Sequence, residues 1–265
     1  MADPMYRQIA EDLRAQIESA KLRPGQQLET ELELRERYGA SRNTVRDAIK
    51  WLMNLGLVET RPGQGTYVVE KIAPFVTTLS GDPGTGDSKV FQRQASQHGR
   101  IASLSEVQVE IQKAGAGVSA ELGIPEGNQV VSRHQRRYID DTPWSMQTSF
   151  YPMGLALKGA NDLLLAGNIE QGAVKYLADT LGLRQVGYRD WITVRTPDAN
   201  EARFFNVPPD GRVAVFEIFR TAFDQTGTPM RVTVTVFPTD RNQFIVTIGD
   251  VPAPQAPRVA ADQQS

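Results

Sequence analysis

The sequence predicts an α+β protein of two domains, and three observations support this prediction. Residues 28–68 contain two helical segments that run straight into a hairpin with glycines at its tip. From about residue 93 to 249 the apolar residues follow alternating strands with a few helices between them. The chain has 265 residues, which is too many for the first segment alone. We therefore expect an N-terminal winged helix-turn-helix domain and a C-terminal domain with a mixed, mainly antiparallel sheet.

The first helix of the N-terminal motif is predicted to begin at Thr30. Glu33 follows at the spacing of a capping box, in which each side chain hydrogen-bonds to the other residue's free backbone N–H. Leu34 and Tyr38 lie four residues apart and therefore share one side of this helix. Gly39 can adopt the left-handed conformation that ends a helix without a steric penalty. The sequence therefore predicts a short helix between Thr30 and Gly39.

A second helix is predicted to follow, capped by Ser41 and ended by Gly56. Its apolar residues fall on one stripe: Val45, Ala48, Ile49, Leu52 and Leu55. Its polar residues fall on the other side: Arg42, Asn43, Arg46 and Lys50. A helix that enters the major groove leads with its N-terminal residues, and the arginine fork pairs with guanine or with phosphate. The alternative is a solvated charged face on an ordinary surface helix.

The hairpin at 57–68 favours DNA binding over that alternative. Its strands flank Arg61-Pro62-Gly63-Gln64-Gly65, whose glycines permit positive φ and a close approach to another backbone. A loop of this kind fits a minor groove. The residues predicted to contact DNA are Thr30, Arg35, Ser41, Arg42, Asn43, Thr44, Arg46, Lys50, Gly63 and Gln64.

The overall charge does not itself indicate a nucleic-acid partner, because the formal net charge is −2. Basic residues are instead concentrated locally, and between residues 35 and 50 five lysines and arginines stand against two acids. Such a face makes phosphate contacts, but a single copy would bind weakly. We therefore expect a homodimer on a near-palindromic double-stranded DNA operator, with half-sites about one helical turn apart.

This segment resembles the DNA-binding domain of GntR-family bacterial transcription regulators over about residues 4–69. The motifs that carry the resemblance are Tyr6-Arg7-Gln8-Ile9, Pro24-Gly25-Gln26-Gln27-Leu28, Ser41-Arg42-Asn43-Thr44-Val45-Arg46, Leu55-Gly56-Leu57-Val58 and Gly63-Gln64-Gly65-Thr66-Tyr67-Val68. The resemblance implies DNA contacts from Arg42, Thr44 and Arg46 and a minor-groove contact at Gly63. The family usually reads Leu-Pro-Ser-Glu-Arg at residues 28–32, so Leu32 replaces an arginine that commonly contacts DNA.

The composition limits the chemistry available to the chain. There is no cysteine, which excludes disulfides and cysteine-based zinc sites. No apolar run reaches signal-peptide or membrane-helix length, so we expect a soluble cytoplasmic protein with no membrane partner. His98 and His134 are isolated, and the sequence contains no nucleophile elbow, metal-ligand histidine cluster or phosphate loop. We therefore expect no catalytic residue, metal or cofactor, with an enzyme domain as the minor alternative.

Four segments follow from these patterns. The winged helix-turn-helix domain covers 1–72, and the second domain covers 93–249. Residues 73–92 are predicted to be a flexible linker, because Ser80–Ser88 has a small, polar, turn-forming composition. Residues 250–265, rich in Pro, Ala and Gln, are predicted to be a disordered tail.

Within the second domain, period-two alternation and turn residues place the individual elements. Strands are predicted at 107–112, 129–139, 144–151, 186–195, 213–223, 230–237 and 243–248. Helices are predicted at 118–122, 153–166, 170–181 and 197–205. A weak internal repeat relates residues 136–143 to residues 220–229, each a strand followed by a turn and a second strand. Two such hairpins could enclose a pocket or could simply be similar halves of one sheet.

This region resembles the UTRA domain, the effector-sensing domain of the HutC-like GntR subfamily, which has the chorismate-lyase fold. The resemblance spans about 105–248 and is carried by Leu122-Gly123-Ile124-Pro125-Glu126-Gly127, the Arg133 to Pro143 hairpin, Phe150-Tyr151-Pro152 and the Arg220 to Pro229 hairpin. In relatives that bind phosphorylated sugars, an Arg-x-Arg pair faces the ligand. The corresponding positions here are Gln135 and Arg137, and the loss of the first arginine argues against a phosphosugar ligand.

A small-molecule effector site is predicted from residues that share a strand face by period two. The predicted residues are Arg133, Gln135, Arg137, Gln147, Ser149, Tyr151, Arg220 and Arg231. Arg133 and Arg137 could instead form an outer cationic face or pair with acids such as Glu217. Trp144 and Trp191 could line the pocket or belong to the core. The function that follows is a repressor released from its operator by a metabolite; the alternative is a ligand-independent DNA-binding dimer assembled by the second domain.

Overall fold

The computed structural model of the protein describes residues 3–69, 75–79, 83–207, 213–248 and 251. The chain divides into two compact units, Met1–Ile72 and Ala73–Ser265. The predicted tail at 250–265 lies outside the described residues, apart from Val251. No helix in the described ranges is both long enough and apolar enough to cross a membrane.

The first unit consists of three helices followed by a two-stranded hairpin. The elements are α1 (Met5–Glu18), α2 (Glu31–Tyr38), α3 (Arg42–Asn54), β1 (Val58–Arg61) and β2 (Gly65–Val68). Both predicted caps are present: Thr30 and Glu33 form the reciprocal capping box, and the Ser41 hydroxyl accepts the N–H of Thr44 at 3.1 Å. Gly39 ends α2 in the left-handed conformation with φ 59°.

One apolar core holds this unit together and fixes which side of α3 faces solvent. The core joins α1 and the apolar stripe of α3 to residues from α2 and the hairpin: Ile9, Ala10, Leu13, Leu28, Leu34, Val45, Ala48, Ile49, Leu52, Val58 and Val68. Leu55, predicted to belong to the same stripe, is instead 47% exposed, because α3 ends before it. The polar side of α3 is therefore left on the surface.

The second unit is a sheet with helices. Its strands are β3 (Phe75–Thr78), β4 (Ala102–Leu104), β5 (Gln108–Lys113), β6 (Gln129–Ile139), β7 (Thr142–Pro152), β8 (Gln185–Arg195), β9 (Val215–Asp224), β10 (Pro229–Pro238) and β11 (Asn242–Ile245). Its helices are α4 (Asp87–Gln97), α5 (Ala116–Leu122), α6 (Met153–Leu157), α7 (Ala173–Leu181) and α8 (Ala199–Phe205). A single 3₁₀ turn lies at Asn161–Leu164.

The sheet brings the two predicted hairpins side by side. Its strand order is β4-β6-β7-β10-β9-β8, β5 also pairs with β6, and all of these pairs are antiparallel. β7 and β10 are the inner strands of the two hairpins, so the repeated segments meet at the middle of the sheet. β3 and β11 form a separate parallel pair.

The predicted flexible linker at 73–92 is wrong for most of its described residues. Phe75–Thr78 is a strand, and Asp87 begins α4, in which Phe91 and Ala95 are buried. Composition indicated a linker because residues 80–88 are small and polar. The buried partners of this segment lie on distant strands, where local composition does not reveal them.

The predicted helix at 153–166 is also incorrect. The chain forms α6, then a turn in which Gly159 has φ +119°, then the 3₁₀ turn. That φ is incompatible with a continuous right-handed helix. Similarly, the helix predicted from 170 begins only after Gly172, whose φ is +83°. On the edge strand β5, Ile111 was predicted to lie on the buried face, but it is 52% exposed.

Candidate functional site

The polar side of α3 presents two long cationic side chains to solvent. The side chains of Arg42 and Arg46 are 62% and 49% exposed, and they lie one helical turn apart. Asn43 and Lys50 are also exposed on α3. The helix therefore carries the charge pattern that binds phosphates and base edges when its N-terminal end enters a major groove.

Glu31, at the start of α2, pairs with both arginines. Its carboxylate lies 3.2 Å from Nε of Arg42 and 2.9 Å from Nε of Arg46. The hydrogen bond from Arg46 is the main cause of a pKa of Glu31 below its ordinary value, so the carboxylate is ionised at neutral pH. These solvent-exposed pairs are worth at most about 1 kcal/mol each, so a phosphate can replace them.

The other residues predicted to contact DNA have mixed environments. Thr30 and Ser41 are exposed, but both hydroxyls are occupied as helix caps, and Thr44 hydrogen-bonds to Ser41 at 2.8 Å. Arg35 is exposed in the last turn of α2. Leu32, which stands where the resemblance predicted an arginine, is 58% exposed and presents an apolar surface.

Two glycines set the backbone conformation of the hairpin tip, and the side chain of Gln27 supports it through a hydrogen bond. Gly63 has φ +72°, and no other atom lies within 4 Å of the point that a Cβ would occupy there, so the tip is open. At Gly65 a Cβ would lie 2.5 Å from Nε2 of Gln27, which donates to the carbonyl of Gln64 at 2.8 Å. Arg61, which was not among the predicted contacts, stacks on the ring of Tyr67 at 4.4 Å. The wing thus exposes backbone and one arginine.

In the second unit, a row of polar side chains crosses one face of the sheet. Residues directly opposite each other on neighbouring strands point to the same face of a sheet. Across five strands these residues are, in order, Arg133, Ser149, Thr233, Arg220 and Asp190. The hydroxyls of Ser149 and Thr233 lie 3.0 Å apart. Period two therefore placed the predicted strand residues on a common face.

Two neighbouring clefts lie on this face and share Asp87 and Gln147 in their walls. The first cleft, of about 730 Å³, and the second, of about 950 Å³, both include space open to solvent. The predicted residues in the first are Arg137, Gln147 and Arg220. Those in the second are Arg133, Gln135, Gln147, Ser149, Tyr151 and Arg231. The remaining walls of the second cleft come mainly from α4, α7 and the segment 168–170, with Leu104 and Val107.

The Arg133 side chain hydrogen-bonds to the backbone of the segment 162–167. Its Nη1 donates to the carbonyls of Asp162, Leu163 and Leu165 at 2.8–3.1 Å, and its Nη2 donates to that of Gly167 at 2.6 Å. Burial lowers the pKa of Arg133 below its ordinary value. Most of its donors are therefore used on backbone rather than offered to a ligand.

Gln135, which stands where the resemblance predicted the first arginine of an Arg-x-Arg pair, is also occupied by the chain. Its Nε2 donates to the Ser105 carbonyl at 2.9 Å and to Oδ1 of Asn168 at 2.8 Å. Its Oε1 accepts from the Ser88 hydroxyl at 3.4 Å. This position therefore supplies a neutral bridge and no positive charge.

Asp87, missed at the sequence level, links α4 to two strands. Its carboxylate lies 2.8 Å from Nη1 of Arg231 and 3.2 Å from Nη1 of Arg220. Asp190 binds the other side of Arg220 through two contacts of 2.7 Å. Burial alone would raise the pKa of Asp87, but the positive charges of Arg231 and Arg220 hold it below its ordinary value. Phe91 and Ala95, four residues apart and both buried on α4, are a sequence signal that could have indicated this helix.

The burial of the arginines and tryptophans decides between the alternative roles that the sequence left open for them. Arg133 and Arg137 are buried, and Glu217 pairs with Arg195 instead, at 2.7 Å. Trp144 is fully buried against Phe75 and belongs to the core. Trp191 is 57% exposed on the edge strand β8 and lines neither cleft.

His134 lies on the sheet face opposite Arg133 and hydrogen-bonds to Thr148 at 2.9 Å. Burial lowers the pKa of His134, as expected for a packed neutral imidazole. In the part of the chain that the structure describes, no group of three or more metal-ligating side chains occurs.

Comparison with protein families accounts for both units. Residues 5–68 match the profile of "Bacterial regulatory proteins, gntR family". Residues 98–243, more than half of the chain, match the UTRA domain. The chain belongs to the GntR family. With a UTRA domain behind its gntR-type domain, this GntR regulator falls in the HutC-like group.

Relatives of this GntR regulator are named as transcriptional regulators. The mannosyl-D-glycerate transport/metabolism system repressor MngR of Escherichia coli K12 is 32% identical over 153 residues, which cover 57% of this chain and 60% of that protein. The transcriptional repressor NagR of Bacillus subtilis is 24% identical over 243 residues, which cover 91% and 93%. The GntR regulator is accordingly a sequence-specific DNA-binding protein with a domain for a small-molecule effector.

Solved structures agree with this assignment. A crystal structure described as that of a GntR-family transcriptional regulator is 26% identical, with a TM-score of 0.64, and the match covers 94% of this chain and 99% of that one. PhnF from Mycobacterium smegmatis, 21% identical with a TM-score of 0.54 and coverage of 91% and 99%, shares the fold.

Proposed function

We propose that this GntR regulator is a repressor that binds a near-palindromic operator as a homodimer and leaves it when a metabolite binds the clefts of its UTRA domain. The observation that supports this most is the buried polar row beneath the two clefts. Ligand sites are concave and position a small number of polar groups that fix the orientation of the ligand, and both clefts place such groups in their walls. A domain that served only for assembly would have no use for them.

The DNA contacts proposed for each subunit come from α3 and the hairpin. Arg42, Asn43 and Arg46 would read base edges and phosphates, Lys50 and Arg35 would add phosphate contacts, and Gly63 with Gln64 would meet the minor groove. Thr30, Ser41 and Thr44 would act mainly by fixing the helix starts that carry these side chains. Two such surfaces on one operator would supply the affinity that a single one lacks.

The homodimer is proposed to form along β8, an edge of the sheet. Trp191, Ile192 and Val194 on this strand are 57%, 46% and 60% exposed. A long apolar edge strand pairs readily with another chain and is normally covered. A second copy of the protein would cover it and bring two DNA-binding units together.

Trp191→Lys is expected to weaken dimerisation by about 30-fold or more, because a central aromatic anchor is typically worth about 2 kcal/mol at an interface. Sedimentation equilibrium over a range of protein concentrations measures the change. Ile111→Lys is the matched control, since Ile111 is 52% exposed on β5 at the opposite edge. Equal effects of both substitutions, or none from Trp191→Lys, would place the interface elsewhere.

The release of DNA is a linkage effect. If the effector binds the DNA-free form more tightly by some factor, saturating effector must weaken DNA binding by the same factor. A 10- to 100-fold release corresponds to roughly 1.4 to 2.7 kcal/mol of coupling. In the sequence, α4 comes after the boundary between the two units. Its first residue, Asp87, contacts Arg220 and Arg231 in the clefts. Helix α4 is therefore the proposed element through which cleft occupancy alters the subunit arrangement.

The effector role is tested by narrowing the second cleft. Gln92 is an exposed α4 residue in the wall of this cleft, so Gln92→Trp fills space without disturbing buried packing. The full-length protein is titrated with operator DNA by fluorescence anisotropy, in the presence and absence of a panel of sugar acids, sugar phosphates and amino acids. A compound that releases the wild type is expected to release Gln92→Trp at least about tenfold less well.

Arg93→Trp is the control for that experiment. Arg93 is the next residue on α4, is exposed, and does not belong to either cleft. It should respond to the compound as the wild type does. A panel in which no compound releases the wild type, with operator binding intact, would favour the ligand-independent dimer instead.

Two further properties belong to this proposal. The regulator is proposed to have no enzymatic activity, since its relatives are regulators and the polar row has no nucleophile with an adjacent base among the described residues. Its place of action is the bacterial cytoplasm, because the DNA that it binds is there.

A further inference from the structure

Five buried or half-buried ionic side chains form one cluster beneath the clefts. They are Arg137, Arg220, Arg231, Asp87 and Asp190, and we call them the arginine cluster. Three arginines against two aspartates leave one positive charge without a counter-charge inside the cluster. An isolated charge buried away from water is costly, so the location of this surplus matters.

The contacts place the surplus on Arg137. Arg220 is held on two sides by Asp190 and Asp87, and Arg231 is held by Asp87 and by Gln185 at 3.2 Å. Arg137 has no such carboxylate contact among the described residues. Its Nη2 donates to the neutral amide of Gln147, and its guanidinium lies 5.4 Å from the ring of Phe91.

Two properties of Arg137 show that its charge is poorly compensated. Its side chain is buried, with 4% of the residue exposed, and its Nε has no hydrogen-bond partner in the part of the chain that the structure describes. Burial lowers the pKa of Arg137 to about 10. The negative charge of Asp87 opposes this shift, and the positive charges of Arg231 and Arg220 add to it. A negative group entering the first cleft would meet this guanidinium and supply the missing charge.

The neighbouring second cleft offers neutral polar groups. Two buried arginines line it, but Arg133 donates to four backbone carbonyls and Arg231 pairs with Asp87. Ser149 and Asn168 also line it, while its exposed rim carries one cation, Lys89, and one anion, Glu170. Such groups hydrogen-bond to hydroxyls and do not add charge. Asp87 and Gln147 line both clefts, so Arg137 in the first cleft and these hydroxyl-binding groups in the second lie against the same two side chains.

We propose that the effector is a hydroxylated acid with a single negative charge, of the sugar-acid class, whose carboxylate binds Arg137. Asp87 is the residue that limits the accepted charge to one, because it neutralises the charge that would otherwise accommodate a dianion such as a phosphate ester. This rests on the proposed function, in which the clefts bind the effector. It also gives a role to Asp87, a largely buried carboxylate at the start of α4.

Three probes with the same three-carbon hydroxylated frame test the charge: glycerol, D-glycerate and glycerol phosphate, which carry zero, one and nearly two negative charges. The apparent affinity of each for the full-length protein is measured by its effect on the melting temperature at constant ionic strength. The wild type should bind D-glycerate best. Arg137→Gln, with no surplus charge, should lose at least about tenfold in affinity for D-glycerate, because charge-assisted hydrogen bonds are the strong ones.

Asp87→Asn gives the sharper result. It raises the surplus to two, so the order should reverse and glycerol phosphate should become the tightest probe. A residue that acted only on stability would lower all affinities without reversing their order. Asp190→Asn raises the surplus positive charge equally without changing α4, and it replaces Asp87→Asn if that variant does not fold. Arg137→Met, which is also uncharged, replaces Arg137→Gln in the same case.

Arg136→Gln is the matched control, because Arg136 is exposed on the opposite face of the same strand and should leave all three affinities unchanged. The proposal is overturned if the wild type binds glycerol phosphate or glycerol at least as well as D-glycerate, or binds none of them at tens of millimolar. It is also overturned if Arg137→Gln binds D-glycerate normally. Operator binding measured on the same proteins without probes separates failure of this inference from failure of the proposed DNA-binding function.

Discussion

The double variant Arg42→Ala with Arg46→Ala is expected to lose sequence-specific DNA binding while remaining folded. Each arginine fork that reads a base is worth about 1–3 kcal/mol, so their joint loss should weaken operator binding by about 30-fold or more. The fold should survive, since both side chains are on the solvent side of α3 and form exposed pairs with Glu31. Fluorescence anisotropy at a fixed salt concentration measures the binding, and circular dichroism checks the fold.

Arg14→Ala provides the control for this loss. Arg14 is an arginine of α1 with a side chain 42% exposed and an ion pair to Glu18, and it is not among the proposed DNA contacts. Its substitution should change operator affinity by less than about threefold, as expected for one surface charge away from the interface. A double variant that binds as well as the wild type would mean that α3 is not the recognition helix.

Asp87→Ala is expected to lower the free energy of unfolding by about 3–5 kcal/mol, the typical cost of removing one partner from a buried ion pair. Arg220 would keep Asp190, but Arg231 would lose its carboxylate contact and remain buried, with 4% of the residue exposed. Urea unfolding of the full chain, followed by tryptophan fluorescence, measures this. The fully buried Trp144 reports on the second unit.

Asp179→Ala is the counterpart on the surface. Asp179 pairs with Lys175 on α7 at 2.8 Å, with side chains 50% and 61% exposed, so its loss should cost no more than about 1 kcal/mol. If both aspartates proved equally dispensable, the arginine cluster would not depend on α4 for its charge balance.

The sequence predicted most closely those features that depend on neighbouring residues. The capping box of Thr30 and Glu33 and the cap at Ser41 are local, and both are present. The 11-residue strand β6 was predicted with its observed bounds, because alternation is a local pattern. Features set by distant partners were missed: Asp87 is hydrogen-bonded by Arg220, which is 133 residues away in the chain.

The same distinction applies to the candidate effector site. Period two placed Arg133 and Arg137 on one face of β6, but it could not show which guanidinium the chain itself would use. The carbonyls that hold Arg133 come from 162–167, and the single turn there replaced part of a predicted helix. Arg137 is left with a neutral partner for the opposite reason, since both aspartates of the cluster contact other arginines.

The central claim is that this chain recognises particular DNA sequences through α3. Purified full-length protein is mixed with fragmented genomic DNA of its source organism at a fixed salt concentration, and the retained fragments are sequenced beside those retained by the Arg42→Ala, Arg46→Ala double variant. The account predicts a small set of strongly enriched fragments that share a near-palindromic site and are absent with the variant. Retention of the same fragments by both proteins, or no enrichment by the wild type, would contradict it.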